Sequence, residues 1–272
     1  MRQQDYGLFI QTVWQWYHKN SRQLPWRPPE LEEHDGQLDA YKILVSEFML
    51  QQTQVARVVE KYRAFITQFP TIEVLAQASV AEVLSYWQGL GYNRRALYLH
   101  QAAQSLCNVN GMWEETFLVT LKGIGPNTAA AICVYAYNIP LIFIETNVRT
   151  VYLHHFFRDQ EGVNDNQLLP LLNKTLEKER PREWYWALMD YGSYLKKKLP
   201  NPGRGSHHYK KQSAFEGSQR QLRGSVLALL LEQPRSITEL KMLHNDPRLK
   251  RVLADLEKEG FIVMEKQRFK VT

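Results

Sequence analysis

The sequence predicts an all-α fold with a small α+β domain at the C-terminus. Apolar residues recur at helical spacing through most of the first 198 residues. The alternation of apolar and polar residues that is typical of strands is nearly absent before the last dozen residues. Turn-forming residues such as Gly89, Gly91 and Pro140 separate the helical runs. Residues 1–198 are therefore interpreted as one mainly helical domain.

Several runs in this first domain have the apolar period of a helix, three to four residues apart. Short segments that contain proline, glycine or asparagine end each run. The predicted helical runs are residues 6–18, 41–69, 80–88, 94–107, 113–121, 128–137 and 148–157.

A basic passage with the sequence KKKLPNPGRGSHHYKK follows the helical domain at residues 196–211. A segment so rich in proline, glycine and lysine does not fill a core. We therefore expect residues 199–216 to form a linker or a loop that faces DNA. Lys210 and Lys211 at its end are candidate phosphate contacts. A solvated connector without a binding role is the alternative.

Residues 217–272 have a different pattern. A helix is predicted over residues 219–232, a second begins at Ser236, and a third over residues 247–259 is closed by Gly260. The tail FIVMEKQRFKVT predicts a short hairpin. Three helices and a hairpin are typical of a winged helix, which either contacts DNA or docks proteins.

Composition restricts the class of protein. The net charge of +6 favours a polyanionic partner. No run reaches the roughly twenty apolar residues of a membrane span, and residues 2–5 contain no apolar leader, so we expect a cytoplasmic protein that does not enter a membrane. Cys107 and Cys133 are too few for a disulfide framework or a thiolate metal site. No metal and no cofactor are therefore expected.

The segment LKGIGPNTAAAI at residues 121–132 lies between two helical runs. Its glycines, Gly123 and Gly125, allow a tight turn with positive φ angles, which leaves amides of the turn and of the next helix free to face one anion. Ile124 would fill the space between the helices, and Thr128 lies in the first turn of the second helix. The pattern predicts a helix-hairpin-helix motif that contacts the DNA backbone without reading sequence.

Six motifs along the chain give a family resemblance. From residue 22 to residue 196 the chain resembles the helix-hairpin-helix DNA glycosylases, and most of all their MutY-type adenine glycosylases. The resemblance implies a two-lobed, monomeric, nucleoid-associated enzyme that flips a base out of double-stranded DNA and cleaves its bond to the sugar. The motifs are LPWR (24–27), SEFMLQQTQV (46–55), GLGY (89–92), LKGIGPNTA (121–129), ETNVR (145–149) and ALMDYG (187–192).

Glu47 is the first candidate catalytic residue. Ile43, Leu44 and Leu50 lie about one turn away on the same helix, and apolar neighbours raise the pKa of a carboxyl towards the range of a general acid. The resemblance matches Glu47 to the glutamate that protonates adenine in the family. A glutamate at a helix boundary with its carboxylate in water is the alternative.

Glu145 is the second candidate catalytic residue. It follows the apolar run LIFI at an expected helix start, where an ionised carboxylate is stabilised and could face the cationic sugar and orient water. The family has an aspartate here, followed by glycine, so Glu145 is one methylene longer. Loss of the chemistry, with Glu145 only capping the helix, is the alternative. Asn147 matches an asparagine that we expect to support the carboxylate.

Other positions follow from the resemblance alone. Arg22, Trp26 and Asp190 match residues around the extruded adenine. Asn127 is also expected at the base pocket, where relatives that cut the backbone have a lysine. Because asparagine forms no imine, we expect a monofunctional enzyme.

The resemblance also predicts residues that contact the DNA stack. Gln52 and Tyr92 match residues that wedge into the stack beside the vacated position. Gln51, which directly precedes Gln52 in the motif SEFMLQQTQV, is also expected to contact DNA. Taken alone, each of these residues would be assigned to the surface or the core.

The sequence departs from the family in two further ways. The four cysteines that bind an iron–sulfur cluster in most relatives are absent, and a winged helix is predicted where typical MutY enzymes have a domain that inspects 8-oxoguanine. Adenine opposite guanine or 8-oxoguanine is the leading substrate. A mismatch glycosylase for thymine, uracil or another altered purine is the alternative, and dependence on Glu47 separates the two. A non-catalytic DNA-binding protein is the alternative of another class.

Overall fold

The structure is a computed structural model that describes residues 6–28, 37–211 and 214–272. These residues form two compact units. The first holds the chain up to Ile43, Met112–Thr120 and Ile124–Lys211, and the second holds Leu44–Gly111, Leu121–Gly123 and the described part of Gln212–Thr272. The predicted domain boundaries near residues 198 and 217 stay a prediction. The expected lack of a leader concerns residues 2–5, which lie outside the described residues, as do residues 212 and 213 of the predicted linker.

Helices dominate both units, which confirms the predicted fold class. The small antiparallel sheet pairs Ile262 with Val271 and Glu265 with Arg268. The elements in chain order are α1 (Tyr6–Asn20), α2 (Ala40–Leu50), α3 (Val55–Gln68), α4 (Ile72–Gln77), α5 (Val80–Trp87), α6 (Arg94–Leu106), α7 (Glu115–Leu118), α8 (Pro126–Tyr137), α9 (Thr146–Phe156), α10 (Asp165–Thr175), α11 (Pro181–Lys198), α12 (Gln219–Glu232), α13 (Ile237–Leu243), α14 (Leu249–Lys258), β1 (Ile262–Glu265) and β2 (Arg268–Val271).

The first unit is built around α8, whose residues from Ala129 to Ala136 are all buried. A helix that is apolar on every side belongs in the centre of a core. Helix α11 packs closely on α9 at Gly192, where an added Cβ would lie 2.3 Å from the backbone oxygen of Asn147. Only glycine allows this approach, so the motif that contains Gly192 fixes α11 against the start of α9.

The second unit packs α3 to α6 and the C-terminal elements into one body. Phe48, Phe65 and Trp87 are fully buried in it. The backbone amide of Ala81 at the start of α5 donates to the carbonyl of Thr272 at 3.1 Å. The end of the chain is therefore fastened to the first turn of α5.

The C-terminal elements appear in the predicted order. Helix α12 covers the predicted residues, and α13 begins at Ser236, which forms a capping box with Glu239. Lys266 and Gln267 join β1 to β2 with positive φ angles of 47° and 63°, the backbone of a two-residue hairpin turn. The winged-helix assignment remains a prediction.

Two of the predicted helical runs are wrong in detail, and three helices were not predicted. The run at residues 41–69 is two helices, because Gln52 has a φ of 54° and breaks the period between α2 and α3. Only α7, four residues long, forms within the run at residues 113–121. Helices α4, α10 and α11 were missing from the predicted runs.

The basic passage is more ordered than its composition predicts. Residues Pro202–Gly205 form a 3-10 turn, and Gly203 and Ser206 are buried. An added Cβ at Gly203 would lie 3.2 Å from Oγ1 of Thr150, so the missing side chain lets the turn pack on α9. The packing of residues 202–206 on α9 was not predicted, and the assignment of residues 199–216 as a linker or a loop that faces DNA stays a prediction.

None of the helices in the described residues combines the length and the apolar character of a membrane span.

Candidate functional site

Two arginines that precede α2 hold the buried carboxylate of Asp190 on α11. The backbone amide of Arg22 donates to Oδ2 at 2.9 Å, and its Nε donates to Oδ1 at 2.7 Å. Nη1 of Arg27 also donates to Oδ1, at 2.9 Å. Asp190 is 1% exposed. The carboxylate of Asp190 therefore fastens the segment before α2 to α11 and fixes the side chain of Arg22.

A small cavity of about 170 Å³ lies beside this ion pair, and Arg22, Arg27 and Trp186 are among the residues that line it. The guanidinium of Arg27 lies over the Trp186 ring at 5.3 Å. Burial raises the pKa of Tyr17, which also lines the cavity. Trp26 is 6% exposed. The predicted pocket residues Arg22 and Trp26 thus lie in a segment held by Asp190.

Asn127 in the first turn of α8 binds the residue that precedes Glu145. Its Oδ1 accepts from the backbone amide of Ile144 at 3.1 Å, and its Nδ2 donates to the Ile144 carbonyl at 3.3 Å. An amide side chain that satisfies both polar groups of one residue fixes that residue in position and orientation. The sequence prediction assigned Asn127 to the base pocket without this contact.

Glu145 is the N-cap of α9, with an extended backbone, and its carbonyl accepts from the amide of Arg149 at 2.8 Å. Its side chain makes no capping hydrogen bond. Burial of the carboxyl raises the pKa of Glu145, and the nearby guanidinium of Arg149 lowers it by less. The expected helix start is confirmed, but the pKa shift is opposite to the one expected for a carboxylate stabilised by a helix start.

Arg149, the guanidinium near Glu145, also pairs with another carboxylate. Its Nε and Nη2 each donate to a carboxylate oxygen of Asp165 at 2.7 Å. Nη2 also donates to the carbonyl of Ile144 at 3.4 Å. Arg149 therefore joins the start of α10 to the residue before Glu145.

Asn147 lies two residues into α9, with its backbone against Gly192. Among the described residues its Oδ1 is buried and has no hydrogen-bond partner. Buried polar atoms without a partner are rare in folded proteins and call for an explanation. The expected support of Glu145 by Asn147 stays a prediction.

Glu47 lies in α2 within the second unit and is 8% exposed. The adjacent residue Phe48 and Leu44, one turn earlier, are fully buried. Its backbone carbonyl accepts from Gln51 at 3.3 Å at the end of the helix. Glu47 thus belongs to a helix most of whose side chains are buried.

The hairpin between α7 and α8 turns at Gly123. Its φ is +84°, and an added Cβ would lie 2.8 Å from Tyr98 and 3.0 Å from Phe48. Nε2 of Gln51 donates to the Gly123 carbonyl at 3.1 Å. Gly125 has a φ of −89° and is the N-cap of α8, so the predicted positive φ is wrong at this glycine. Its extended backbone is needed to start the helix.

The start of α8 is open to an anion. The N-cap, Gly125, has no side chain to occupy the first amides, and Pro126 lies in the first turn. No atom lies within 4 Å of the position that a Cβ on Gly125 would take. Thr128 follows in the same turn, half-buried. Free amides at such a helix start bind phosphate.

Gln52 and Tyr92, the predicted wedge residues, have an unusual backbone in common. Their φ angles are 54° and 48°, in the left-handed region that residues other than glycine seldom adopt. Such strain is found at functional sites and persists when neighbouring contacts impose it.

Arg95 binds the residues around Gln52 and Tyr92. This role of Arg95 was not predicted from the sequence. Arg95 is 7% exposed and donates to the carbonyls of Phe48 and Met49 at the end of α2, at 2.8 and 2.9 Å. It also binds Gln51, Thr53, Leu90 and Gly91. Burial lowers the pKa of Arg95 to about 10, so the guanidinium stays charged at neutral pH. The side chain of Arg95 therefore holds the two segments that carry Gln52 and Tyr92.

Lys210 and Lys211 lie exposed at the end of the basic passage. Within the described ranges, no group of three or more histidine, cysteine, aspartate and glutamate side chains is placed to hold a metal ion.

Comparison with protein-family models gives a match over residues 45–174 to the family described as HhH-GPD superfamily base excision DNA repair protein. These residues contain Glu47, the hairpin and Glu145. Over these residues the chain is similar to the HhH-GPD superfamily.

The curated relatives of this chain include several adenine DNA glycosylases. The enzyme of Buchnera aphidicola is 32% identical over 196 residues, which are 69% of this chain and 53% of the relative. That of Mycolicibacterium smegmatis is 42% identical over 139 residues, 50% of this chain and 45% of the relative. The human enzyme is 33% identical over 192 residues, 68% of this chain and 35% of the relative. The chain spans about half the length of the bacterial relatives and less of the human one.

Solved structures give the same fold. A thermostable thymine-DNA glycosylase matches with a TM-score of 0.58 and 21% identity, over 69% of this chain and 86% of that one. A non-covalent endonuclease III–DNA complex matches with a TM-score of 0.57 and 16% identity, over 76% of this chain and 96% of that one. At these identities the match shows the HhH-GPD fold alone.

Proposed function

We propose that this protein is a monofunctional DNA glycosylase that removes adenine from mispaired duplex DNA. The observation that carries the proposal is the burial of Glu47, which is 8% exposed and lies next to the fully buried Phe48 and one turn from the fully buried Leu44. A carboxyl in such a setting suits a general acid. The curated relatives named as adenine DNA glycosylases support adenine as the base.

The reaction needs a proton donor for the leaving base and an anion for the cationic sugar. Glu47 gives a proton to the purine, so that the base leaves with the electrons of the broken C–N bond. The sugar becomes cationic, and water adds to it and loses a proton. Glu145 stabilises the cation and accepts that proton.

The raised pKa of Glu145 is compatible with this role. A carboxylate whose pKa is raised by burial is a stronger base towards water than an exposed one. A cation that develops beside it favours its ionised form, in the way that any opposite charge does. Glu145 is therefore assigned as the base and the electrostatic partner of the sugar.

DNA is held by the hairpin and the basic passage. The free amides at the start of α8, with Gly123, Gly125 and Thr128 around them, bind one phosphate. Lys210 and Lys211 neutralise others without reading sequence. Gln51, Gln52 and Tyr92 enter the stack beside the extruded base, whose pocket is formed by Arg22, Trp26, Asn127, Asn147 and Asp190.

The reaction stops at the abasic site, because Asn127 cannot form an imine with the sugar. The opposite base is proposed to be guanine or 8-oxoguanine. The enzyme is proposed to act as a monomer on nucleoid DNA in the cytoplasm.

A panel of duplexes tests the proposal. Adenine, thymine and uracil are each placed opposite guanine, and adenine also opposite 8-oxoguanine and thymine. Release of the free base is measured by chromatography under single-turnover conditions. Release of adenine opposite guanine or 8-oxoguanine, faster than any pyrimidine, is expected. Release of thymine or uracil alone, or of no base, would overturn the assignment.

A further inference from the structure

A groove of about 970 Å³ in the second unit has no role assigned so far. The residues that line it come from the segments 51–54 and 88–95, which carry Gln52 and Tyr92, and from Phe215 and α12. Its volume is at the upper end of the range for small-molecule sites, large enough for a nucleotide. The C-terminal elements thus enlarge the surface that carries Gln52 and Tyr92.

The charge of this groove is positive. Arg57, Arg94, Arg95, Arg220 and Arg223 line it, whereas Asp255 is the acidic residue among the lining residues. Glu259 lies next to them and binds Arg94 and Arg223. Arg57 is exposed and forms no ion pair with any described residue. One arginine is therefore available for an anion even after the internal pairs are counted.

Helix starts add to this field. Gln54 is the N-cap of α3 and Asn93 is the N-cap of α6, and both residues line the groove. Neither side chain accepts a hydrogen bond from its own helix. The dipoles of these two helix starts add positive potential to the groove, which favours a phosphate there.

The groove also contains flat side-chain surfaces on which a base can stack. Phe215 is 59% exposed although it is a large apolar residue. The guanidinium of Arg220 lies over the Tyr92 ring at 5.1 Å and donates to the Tyr92 hydroxyl, so its plane is fixed. Unstacked bases stack on phenyl rings and on guanidinium planes.

Amide side chains complete the groove. Gln52, Gln54, Gln88 and Gln219 line it and offer donors and acceptors in pairs. Such amides match the edges of bases, whereas a site for phosphate alone would not need them. The groove therefore has separate partners for the plane, the edge and the phosphate of a nucleotide.

We propose that this groove binds one unstacked nucleotide of the DNA, with its base on Phe215 and Arg220 and its phosphate at Arg57. The proposal rests on the proposed function only in taking DNA as the partner. The nucleotide comes either from the strand that loses its base or from the opposite strand. The C-terminal segment is thereby assigned as part of the DNA-binding surface beside Tyr92.

The test uses the full chain and a duplex with a stable abasic analogue, so that no excision is needed. The double variant Phe215→Ala/Arg57→Ala is compared with the control Leu169→Ala/Arg63→Ala, which removes an exposed apolar residue and an exposed arginine that do not line the groove. Loss of one stacking contact predicts roughly tenfold weaker binding of the abasic duplex by the groove variant. The control should bind like the parent. Equal affinity of parent and groove variant would overturn the proposal.

Two fluorescent duplexes identify the strand. 2-Aminopurine is placed beside the abasic position in one and opposite it in the other. The parent should unstack the probe and raise its fluorescence in one of the two, and the groove variant should lose that rise. A rise in neither duplex, or a rise that the variant keeps, contradicts the proposal. The analogue cannot be excised, so this test does not depend on activity. A protein that passes it but releases no base from any duplex would contradict the proposed function and still support the groove assignment.

Discussion

Asn127 and Ile144 are joined through both polar atoms of the asparagine side chain, at 3.1 and 3.3 Å. Asn127 lies in the first turn of α8, where the hairpin offers its amides, and Ile144 directly precedes Glu145. The helix start that is proposed to bind phosphate and the proposed catalytic carboxylate are therefore joined by hydrogen bonds. A shift of the hairpin on DNA would be transmitted to Glu145.

Asn127→Ala is expected to lower the single-turnover rate more than it lowers stability. Loss of both hydrogen bonds should cost about 1–2 kcal/mol, whereas a displacement of Glu145 by about an ångström could slow excision roughly a hundredfold. Asn127→Asp keeps the hydrogen-bond acceptor, so its excision rate should lie between those of the parent and Asn127→Ala. Urea denaturation and single-turnover excision measure the two effects. Asn173→Ala, which removes an exposed bond to Leu169, is the control, and equal rates in both variants would refute the coupling.

The hairpin glycines should respond differently to alanine. Gly123→Ala forces a side chain into a φ of +84° and against Tyr98, and should destabilise the fold by about 2–4 kcal/mol. Gly125→Ala meets no atom within 4 Å and should cost at most about 1 kcal/mol. It should still weaken duplex binding by roughly fivefold, about 1 kcal/mol, because the methyl group obstructs a phosphate. Thermal unfolding measures the stability of each variant, and fluorescence-anisotropy titrations measure its affinity for duplex DNA. If Gly125→Ala were less stable than Gly123→Ala, the result would contradict the structure.

The pH dependence of excision should report the raised pKa of Glu145. Burial raises this pKa and Arg149 lowers it, and the ionised form is the active one. The rate should therefore rise with pH through the raised pKa of Glu145. In the variant Arg149→Gln/Asp165→Asn the guanidinium and its partner are both removed, so the rising limb should move to higher pH. A limb that stays in place or moves to lower pH would exclude Glu145 as the titrating group.

His155 is expected to lower the stability of the folded protein at acidic pH. Burial lowers its pKa from 6.5 to about 4, and its ring lies 5.1 Å from Phe9. Between these pH values the unfolded chain binds the proton and the folded one does not, so stability is complete above about 6.5 and is lost as the pH falls. Because the ring is half-buried, the loss should be about 1–2 kcal/mol. His155→Phe should flatten the free energy of unfolding over this range, and an unchanged slope would contradict the assignment.

Local chemistry explains which elements could be predicted. Ser236 and Glu239 form the capping box that starts α13, and the apolar period of residues 219–232 matches α12. Both are set by residues within one or two turns of each other. The resemblance likewise rested on contiguous motifs.

The contacts that the prediction missed join residues far apart in the chain. Arg95 binds carbonyls of Phe48 and Met49, which precede it by more than forty residues. The contact of Arg220 with Tyr92 spans 128 positions. An arginine in a helical run has the same local pattern whether it is exposed or holds two loops, so its role emerges only when the helices pack.

Release of adenine by Glu47→Gln tests the central claim most directly. The parent, Glu47→Gln and the control Glu60→Gln, an exposed glutamate on α3, are compared on a duplex with adenine opposite 8-oxoguanine under single-turnover conditions. Glutamine fills the same space but cannot give a proton, so the rate should fall at least about a hundredfold with duplex affinity retained. The control should match the parent. If Glu47→Gln releases adenine as fast as the parent, Glu47 is not the acid and the account of this site is wrong.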